Sequence, residues 1–226
     1  MAEAPLAARM RPRTFEEFVG QRHLVGPGRA LTKLLEGGHL PSTVLWGPAG
    51  SGKTTLAYLL AEAVGADLMQ LSAVSSGVAD ARKIMDGARG GLFRTVLFVD
   101  EVHRWSKSQQ DVLLPAVEEG TVTLIGATTE NPYFSLVSPL LSRCLLLRLE
   151  ALEPEDLRSL LGRALEDAER GLGKLGVTIA ADALEHLVQV AGGDARIGLT
   201  GLEAAALAAT SAGQAEITLE VAADAV

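Results

Sequence analysis

The chain has 226 residues, an apolar fraction of 48% and a formal net charge of −8, so it is long enough for one large domain or for one domain with a smaller companion. The negative charge excludes a general attraction to a polyanion such as DNA, although a local basic patch remains compatible with it. With no apolar run of membrane-span or signal-peptide length and with Cys144 as its single cysteine, we expect a soluble, cytoplasmic protein without a disulfide.

The first half of the chain alternates short apolar runs with helix-length segments. Residues 1–42 are punctuated by proline and predict an irregular leading segment with short helices. The runs that follow are TVLW (43–46), LMQLSA (68–73), TVLFVD (95–100), VTLIGAT (122–128) and LLLRL (145–149). The first, third and fourth are nearly all apolar, as in strands buried on both faces, and the alternation favours a parallel sheet covered by helices.

After residue 149 the alternation stops and helical spacing takes over. Three helices are predicted, in EPEDLRSLLGRALEDAERG, AADALEHLVQVAGG and DARIGLTGLEAAALAATSAG. We therefore expect an α/β domain over residues 1–150 and a small all-helical domain over residues 151–226. The final ITLEVAADAV resembles a helix that has just begun, with Thr218 as its cap, so we expect a longer C-terminal region in the intact protein.

A glycine-rich loop follows the first strand. GPAGSGKT, residues 47–54, matches the pattern G-x-x-x-x-G-K-[ST] between a buried strand and a helix. Its glycines let successive backbone N–H groups face phosphate oxygens, and the helix adds its positive N-terminal end. Lys53 is expected to meet the β- and γ-phosphates of ATP, and Thr54 to bind Mg²⁺. The predicted nucleotide contacts are Gly47, Pro48, Ala49, Gly50, Ser51, Gly52, Lys53, Thr54 and Thr55.

Two acidic residues end the third strand. Side chains alternate along a strand, so Asp100 and Glu101 are expected to face different partners. Asp100 is predicted to help hold Mg²⁺, and Glu101 to polarise the water that attacks the γ-phosphate. Acids that merely cap a strand in solvent are the alternative, and the glycine loop upstream favours the catalytic interpretation.

The order of several motifs resembles a known family. GPAGSGKTT, LFVDEVHRWSKSQQDVLLPAVEEGTVTLIGATTENP, LLSRC and GDAR are similar to AAA+ ATPases of the clamp-loader clade, and in particular to the replication-associated recombination protein A family. The resemblance extends over nearly all of residues 4–210. It implies a five-stranded parallel sheet in the order 5-1-4-3-2, a helical lid, and a C-terminal oligomerisation region beyond residue 226.

The resemblance also implies roles for individual residues. Thr128 corresponds to a polar sensor near the γ-phosphate, and Arg196 to a second sensor on the lid. Val19 and Gly20 lie in the segment that folds over adenine. Arg143, in SRC, corresponds to an arginine finger that acts on the nucleotide of a neighbouring copy. Without the family, an ordinary surface ion pair would be the preferred interpretation of Arg143.

Basic residues near the acid pair raise the question of DNA. Arg104 and Lys107, and Arg82 and Lys83 in the helix before, are either phosphate contacts or an ordinary solvated face. Trp105 either stacks on a base or packs on a neighbouring residue. His103 is expected to form local hydrogen bonds rather than to bind a metal.

Two absent features favour a clamp-loader-like ATPase. SAVSSGVAD lacks the aromatic residue of a protein-threading pore loop, and EEGTVTLIG leaves no room for the β-hairpin of a branch-migration motor. We therefore expect ATP hydrolysis by a homo-oligomer at replication forks, at gapped DNA or on single-stranded DNA. The alternative is a non-hydrolysing, nucleotide-binding scaffold subunit of a larger assembly.

Overall fold

The chain divides into two compact units. The structure, a computed structural model, describes residues 4–26, 28–89, 91 and 94–226. The segments predicted from the sequence also include residues 1–3, 27, 90, 92 and 93, which lie outside the described residues. The α/β unit contains the described residues of 21–48 and 52–150, and the helical unit contains residues 4–20, 49–51 and 151–226.

The regular elements follow one another in the order that the hydrophobic patterns indicate. The strands are β1 (Thr43–Trp46), β2 (Asp67–Ser72), β3 (Thr95–Asp100), β4 (Thr123–Thr128), β5 (Leu145–Arg148), β6 (Thr178–Ile179) and β7 (Glu216–Ile217). The α-helices are α1 (Leu6–Arg9), α2 (Ala30–Glu36), α3 (Lys53–Ala63), α4 (Val78–Ala88), α5 (Lys107–Asp111), α6 (Leu114–Glu118), α7 (Pro132–Ser135), α8 (Ser138–Leu141), α9 (Pro154–Glu166), α10 (Ala181–Ala191), α11 (Ala195–Ser211) and α12 (Leu219–Asp224). Short 3₁₀ helices occupy Val102–Arg104 and Gly173–Leu175.

The α/β unit is built on a five-stranded parallel sheet in the order β2-β3-β4-β1-β5. This is the predicted order 5-1-4-3-2 written in reverse, so that prediction is confirmed. The inner strands are apolar because both of their faces are covered; Leu45, Phe98 and Ile125 are fully buried. The edge strand β2 is largely exposed.

The strand order brings the ends of three strands together. β4 lies between β1 and β3, so the segments that follow Trp46, Asp100 and Thr128 leave the same edge of the sheet. The carboxyl edge of a parallel sheet is where ligands of such folds bind. Gly126 permits close packing there, because a Cβ on it would lie 3.3 Å from Val102 Cγ1.

The helical unit packs four longer helices around an aliphatic core. α10 and α11 pack on each other and each packs on both α9 and α12, and α1 packs on α11. The sequence offers Gly192 as the stop of the second predicted helix, and it ends α10 in a left-handed conformation with φ of 55°. Thr218 Oγ1 caps α12, as predicted, by accepting a hydrogen bond from Val221 N. The parallel pair β6–β7 is a small addition to an otherwise helical unit.

Two boundaries differ from the sequence-based assignment. Residues 4–20 group with the helical unit, because Leu6 and Met10 are buried in its core and Arg9 pairs with Glu203 at 3.0 Å. The sequence also predicts one short helix that begins near Ser135; the structure has two, α7 and α8, because the chain between them is extended.

Glu17 anchors the leading segment within the helical unit through Arg170, whose guanidinium donates to both of its carboxylate oxygens at 3.0 and 2.9 Å. This arginine, helped by the backbone N–H of Arg13, lowers the pKa of Glu17 below its ordinary value of 4.5 against the opposing effect of burial. Because the folded pKa is lowered, the stabilisation is present above that ordinary pKa and is lost as the pH falls through the folded value.

We expect Glu17→Gln to lower the free energy of unfolding at neutral pH by roughly 1 kcal/mol, measured by thermal or urea unfolding. The difference from the wild type should shrink as the pH falls below about 4.5. Glu169→Gln, at an exposed residue of the same unit, is the control and should have little effect. A Glu17→Gln deficit that is equally large in acid would contradict the ion-pair explanation.

Candidate functional site

The glycine-rich loop runs from the end of β1 to the start of α3. Gly47, Gly50 and Gly52 have φ angles of 151°, 64° and 98°, which residues other than glycine rarely adopt. These turns connect the buried strand directly to the N-terminus of α3, whose first residue is Lys53. The loop therefore has the local geometry that the phosphate-binding pattern predicts.

Gly47 also makes the closest backbone approach in the loop. Its N–H donates to Thr128 O at 3.2 Å, and a Cβ on it would overlap the carbonyl oxygen of Leu149. The start of the loop is thus wedged between the chain segments that follow β4 and β5. Any side chain at this position would have to displace backbone.

Lys53 is held at the base of the loop. Its side chain is almost fully buried, and Nζ donates to Gly47 O at 2.8 Å and to Pro48 O at 2.7 Å. Thr54 and Thr55 follow in the first turn of α3 and are half-buried. A buried ammonium, the turned loop and a helix N-terminus are the donors that a polyphosphate requires, so these residues fit the predicted nucleotide.

The loop residues 49–51 group with the helical unit, where Gly50 contacts the residue before Arg196. Within that unit, Ala195 N donates to Gly50 O at 3.3 Å. Asp194 caps α11 by accepting hydrogen bonds from Arg196 N and Ile197 N at 2.8 and 3.3 Å. The Arg196 side chain is exposed in the first turn of α11.

The acid pair occupies an unusual piece of backbone at the end of β3. Glu101 has φ of 54° and ψ of 41°, a left-handed conformation that is uncommon for a residue with a side chain. Its N–H donates to Asp100 Oδ1 at 3.1 Å. The two carboxylates are therefore separated by a sharp turn rather than by simple strand alternation, and strain of this kind often accompanies function.

A hydrogen-bonded cluster surrounds Glu101. His103 Nε2 lies 3.3 Å from Glu101 Oε2 and 3.8 Å from Glu130 Oε1. His103 Nδ1 lies 2.9 Å from Thr128 Oγ1, and Thr128 is fully buried. Thr129 Oγ1 reaches Glu101 Oε2 at 3.5 Å. The expectation that His103 forms local hydrogen bonds is met, but its central place between the acid and Thr128 was missed, because nothing in the sequence spacing indicates it.

Arg143 meets a carboxylate of its own chain. Its Nη2 lies 2.6 Å from Glu118 Oε1, and Nη1 donates to Pro139 O at 2.7 Å and to Ser142 Oγ at 3.1 Å. The side chain is 38% exposed. Sequence reasoning missed Glu118, because nothing in the sequence spacing indicates that it meets Arg143.

Three further predicted positions have clear surroundings. Val19 packs against the core of the helical unit, and a Cβ on Gly20 would lie 2.7 Å from Leu152 Cδ2. Trp105 is buried, and its indole N–H donates to Ser76 O at 3.2 Å. The base-stacking alternative for Trp105 is therefore wrong, and the packing alternative is correct.

Comparisons with known proteins agree with this geometry. Residues 43–149 match the model of the ATPase family associated with various cellular activities (AAA), and residues 173–226 match the AAA C-terminal domain. The two matches together take in well over half of the chain. The chain belongs to the AAA family.

Individual relatives narrow the assignment of the chain within the AAA family. It is 53% identical, over 94% of its length, to an uncharacterized AAA domain-containing protein of Mycobacterium tuberculosis. It is 48% identical, over 88% of its length, to replication-associated recombination protein A of Escherichia coli. The predicted resemblance to that family is thus confirmed. The chain covers 47% and 45% of these two proteins, about half the length of the curated relatives it matches.

Solved structures show the same fold. The RuvB Holliday junction branch migration motor of Thermotoga maritima aligns with a TM-score of 0.79 and 28% identity, covering 96% of this chain and 72% of that one. No helix in the part of the chain that the structure describes has the length and apolarity of a membrane span. Among the same residues, no group of three or more His, Cys, Asp or Glu could hold a metal ion.

We expect Gly47→Ala to weaken ATP binding by roughly tenfold or more, because the methyl group would collide with the Leu149 carbonyl and displace the start of the loop. Gly65→Ala is the matched control, since Gly65 also has a positive φ, 61°, but has open space around its Cβ position. Titration with a fluorescent ATP analogue measures both. Equal affinities in the two variants would show that the close approach at Gly47 does not position the loop.

Proposed function

We propose that this chain is the ATP-hydrolysing part of a cytoplasmic AAA ATPase that acts on DNA in replication or recombination. One observation carries the proposal: the glycine loop follows β1, and the acid pair and Thr128 lie at the carboxyl ends of β3 and β4, which are neighbours of one another and of β1 in the order β3-β4-β1. The similarity to replication-associated recombination protein A supports the link to DNA. Because the chain spans only part of that relative, the activity of the whole protein is part of the proposal.

The proposed reaction is hydrolysis of ATP to ADP and phosphate. The loop N–H groups and Lys53 bind the phosphates and balance their charge. Thr54 and Asp100 would hold Mg²⁺, which when bound adds positive charge at the phosphate oxygens. Glu101 orients the attacking water and accepts its proton as the oxygen bonds to the γ-phosphorus and the bond to ADP breaks. Thr128 and, on the helical unit, Arg196 sense the γ-phosphate.

Arg143 is proposed to complete the site of a neighbouring copy in a homo-oligomer. Its guanidinium is on the surface, where it is accessible to a neighbouring copy. The ion pair with Glu118 is between two exposed groups and is worth only about 0–1 kcal/mol, so a phosphate can replace it at small cost. A finger supplied by a neighbour would make hydrolysis depend on assembly.

Exposed basic side chains support DNA as the substance acted upon. Arg82 and Lys83 on α4, and Arg104 and Lys107 beside the acid pair, are all exposed on the α/β unit. Such residues suit phosphate contacts that position a protein without reading sequence. Only residues 119–122 connect α6 to β4, so the hairpin expected of a branch-migration motor has no room there. Forks, gaps and single-stranded DNA remain the proposed targets.

A non-hydrolysing scaffold is the second candidate, and the strained backbone of Glu101 weighs against it. A residue that only capped a strand would not need a left-handed conformation that holds its carboxylate within hydrogen-bonding distance of His103 and Thr129. Phosphate release measured with and without gapped DNA separates the two candidates. A scaffold would bind ATP and release no phosphate under either condition.

We expect Glu101→Gln to bind ATP within about twofold of the wild type but to lose turnover by roughly 10²–10⁴-fold. The amide keeps the size of the side chain but cannot accept the proton of the attacking water. Fluorescent-nucleotide titration and steady-state phosphate release measure the two effects. Glu62→Gln, at an exposed glutamate on α3, is the control. Normal turnover in Glu101→Gln would show that another group orients the water.

We expect Arg143→Ala to leave ATP affinity unchanged and to lower turnover by roughly 10³-fold at protein concentrations where wild-type copies assemble. When it is mixed into wild-type protein, activity should fall more steeply than dilution alone predicts, because each variant copy disables the site of its neighbour. The measurement is phosphate release at fixed total protein concentration.

Arg89→Ala is the matched control for Arg143→Ala. Arg89 is also exposed, and it pairs at 3.6 Å with Glu119, the residue that follows Glu118. Its removal therefore breaks a similar surface ion pair. It should neither lower turnover nor affect wild-type copies. Activity that falls linearly with the fraction of Arg143→Ala would rule out a role in trans.

A further inference from the structure

The ring of His103 lies between the proposed water-orienting acid and the proposed phosphate sensor. Its side chain is 7% exposed, so its two nitrogens must find partners inside the α/β unit. Nδ1 faces Thr128 Oγ1 at 2.9 Å, and Nε2 faces Glu101 Oε2 at 3.3 Å. Val102 packs against Gly126 of β4, which holds the turn that carries the ring.

The partners of the ring determine its tautomer. The polar atoms that face Nε2 are carboxylate oxygens, those of Glu101 and, farther away, Glu130, so Nε2 must carry a hydrogen. In a neutral ring Nδ1 is then an acceptor. Thr128 Oγ1 accepts a hydrogen bond from Glu130 N at 3.0 Å. Its single proton faces two acceptors, His103 Nδ1 at 2.9 Å and Glu130 O at 3.4 Å, and the shorter contact favours donation to Nδ1. The Thr128 hydroxyl therefore donates to the ring, and the Nε2–H of the ring faces the Glu101 carboxylate at 3.3 Å.

We propose that His103 is a positioning residue that holds Glu101 in its orientation and links that orientation to Thr128. This rests on the proposed function, in which Thr128 lies near the γ-phosphate. The hydroxyl has only one proton, so donation to a phosphate oxygen removes the donor from Nδ1. The presence of the γ-phosphate and the placement of the Glu101 carboxylate are thereby connected through one imidazole ring.

Two substitutions of His103 separate its two contacts. In His103→Gln the amide nitrogen takes the place of Nε2 and can still donate to Glu101. In His103→Asn the shorter amide takes the place of Nδ1 and reaches only Thr128. We expect the Gln variant to retain kcat within roughly threefold and the Asn variant to lose roughly tenfold or more, with KM for ATP within about twofold in both.

A purely structural role for His103 would give another pattern. It would lower the melting temperature and activity of both variants together, without rescue by Gln. His39→Gln is the control, since His39 is an exposed residue of the same unit. Equal kcat in the Asn and Gln variants, at any level, would overturn the proposal.

A second measurement needs no turnover. Nitrogen-15 NMR of the imidazole rings distinguishes tautomers, and the chain has only four histidines. We expect His103 to be protonated at Nε2 alone, and its Nδ1 resonance to shift in Thr128→Val and with a non-hydrolysable ATP analogue plus Mg²⁺, but not with ADP. A ring protonated at Nδ1 alone, or one that is indifferent to both changes, would overturn the inference.

The two measurements also separate this inference from the proposed function. If the wild-type chain binds ATP and never hydrolyses it, the proposed function fails, and the NMR result still decides whether His103 links Thr128 to Glu101. If the wild type hydrolyses ATP and the Asn and Gln variants do not differ, the proposed function stands and the role of His103 is wrong.

Discussion

The pairing of β1 with β4 is the constraint on which the candidate site depends. Its parallel register sets Trp46 opposite Thr128, and Gly47 N continues the pairing by donating to Thr128 O. The first residue of the phosphate loop and the buried threonine are therefore held side by side by backbone hydrogen bonds. A slip of one residue would turn Thr128 to the opposite face of the sheet and move the loop away from it.

The central sheet also supports two positions at the site where the backbone is tightly constrained. Gly47 lies where any Cβ would overlap the chain after β5, and Glu101 adopts a left-handed conformation despite its side chain. The left-handed conformation of Glu101 costs on the order of 1–3 kcal/mol and persists only where the surroundings enforce it, whereas Gly47 adopts its conformation because it has no Cβ. Here β3 and β4 are paired and buried on both faces, so they hold the turn at Glu101 in place.

The two cations proposed to meet phosphate, Lys53 and Arg143, differ in burial, and the difference suits their different proposed roles. Lys53 is almost fully buried and hydrogen-bonded to loop carbonyls, so it is held in one place. Arg143 is exposed, and its partner Glu118 is exposed too. Because Lys53 is already held by hydrogen bonds, it loses little side-chain freedom when it binds an anion. An exposed ion pair, in contrast, is weak enough to exchange partners. That contrast is what a site completed by a neighbouring copy would require.

The sequence alone predicts much of the fold and of the site, because the patterns that indicate strands, helices and the glycine loop are local. Apolar runs predicted all five main strands to within one residue at each end, and the spacing of GPAGSGKT predicted a loop between a strand and a helix. The sheet order and the proposed roles of Thr128 and Arg143 came from family resemblance, since periodicity carries no information on strand neighbours. Only the tertiary structure decided which distant side chains meet: His103 with Thr128, and Arg143 with Glu118. Those contacts join segments about 25 residues apart along the chain, and such pairs depend on the packing of whole strands and helices, which no short stretch of sequence encodes.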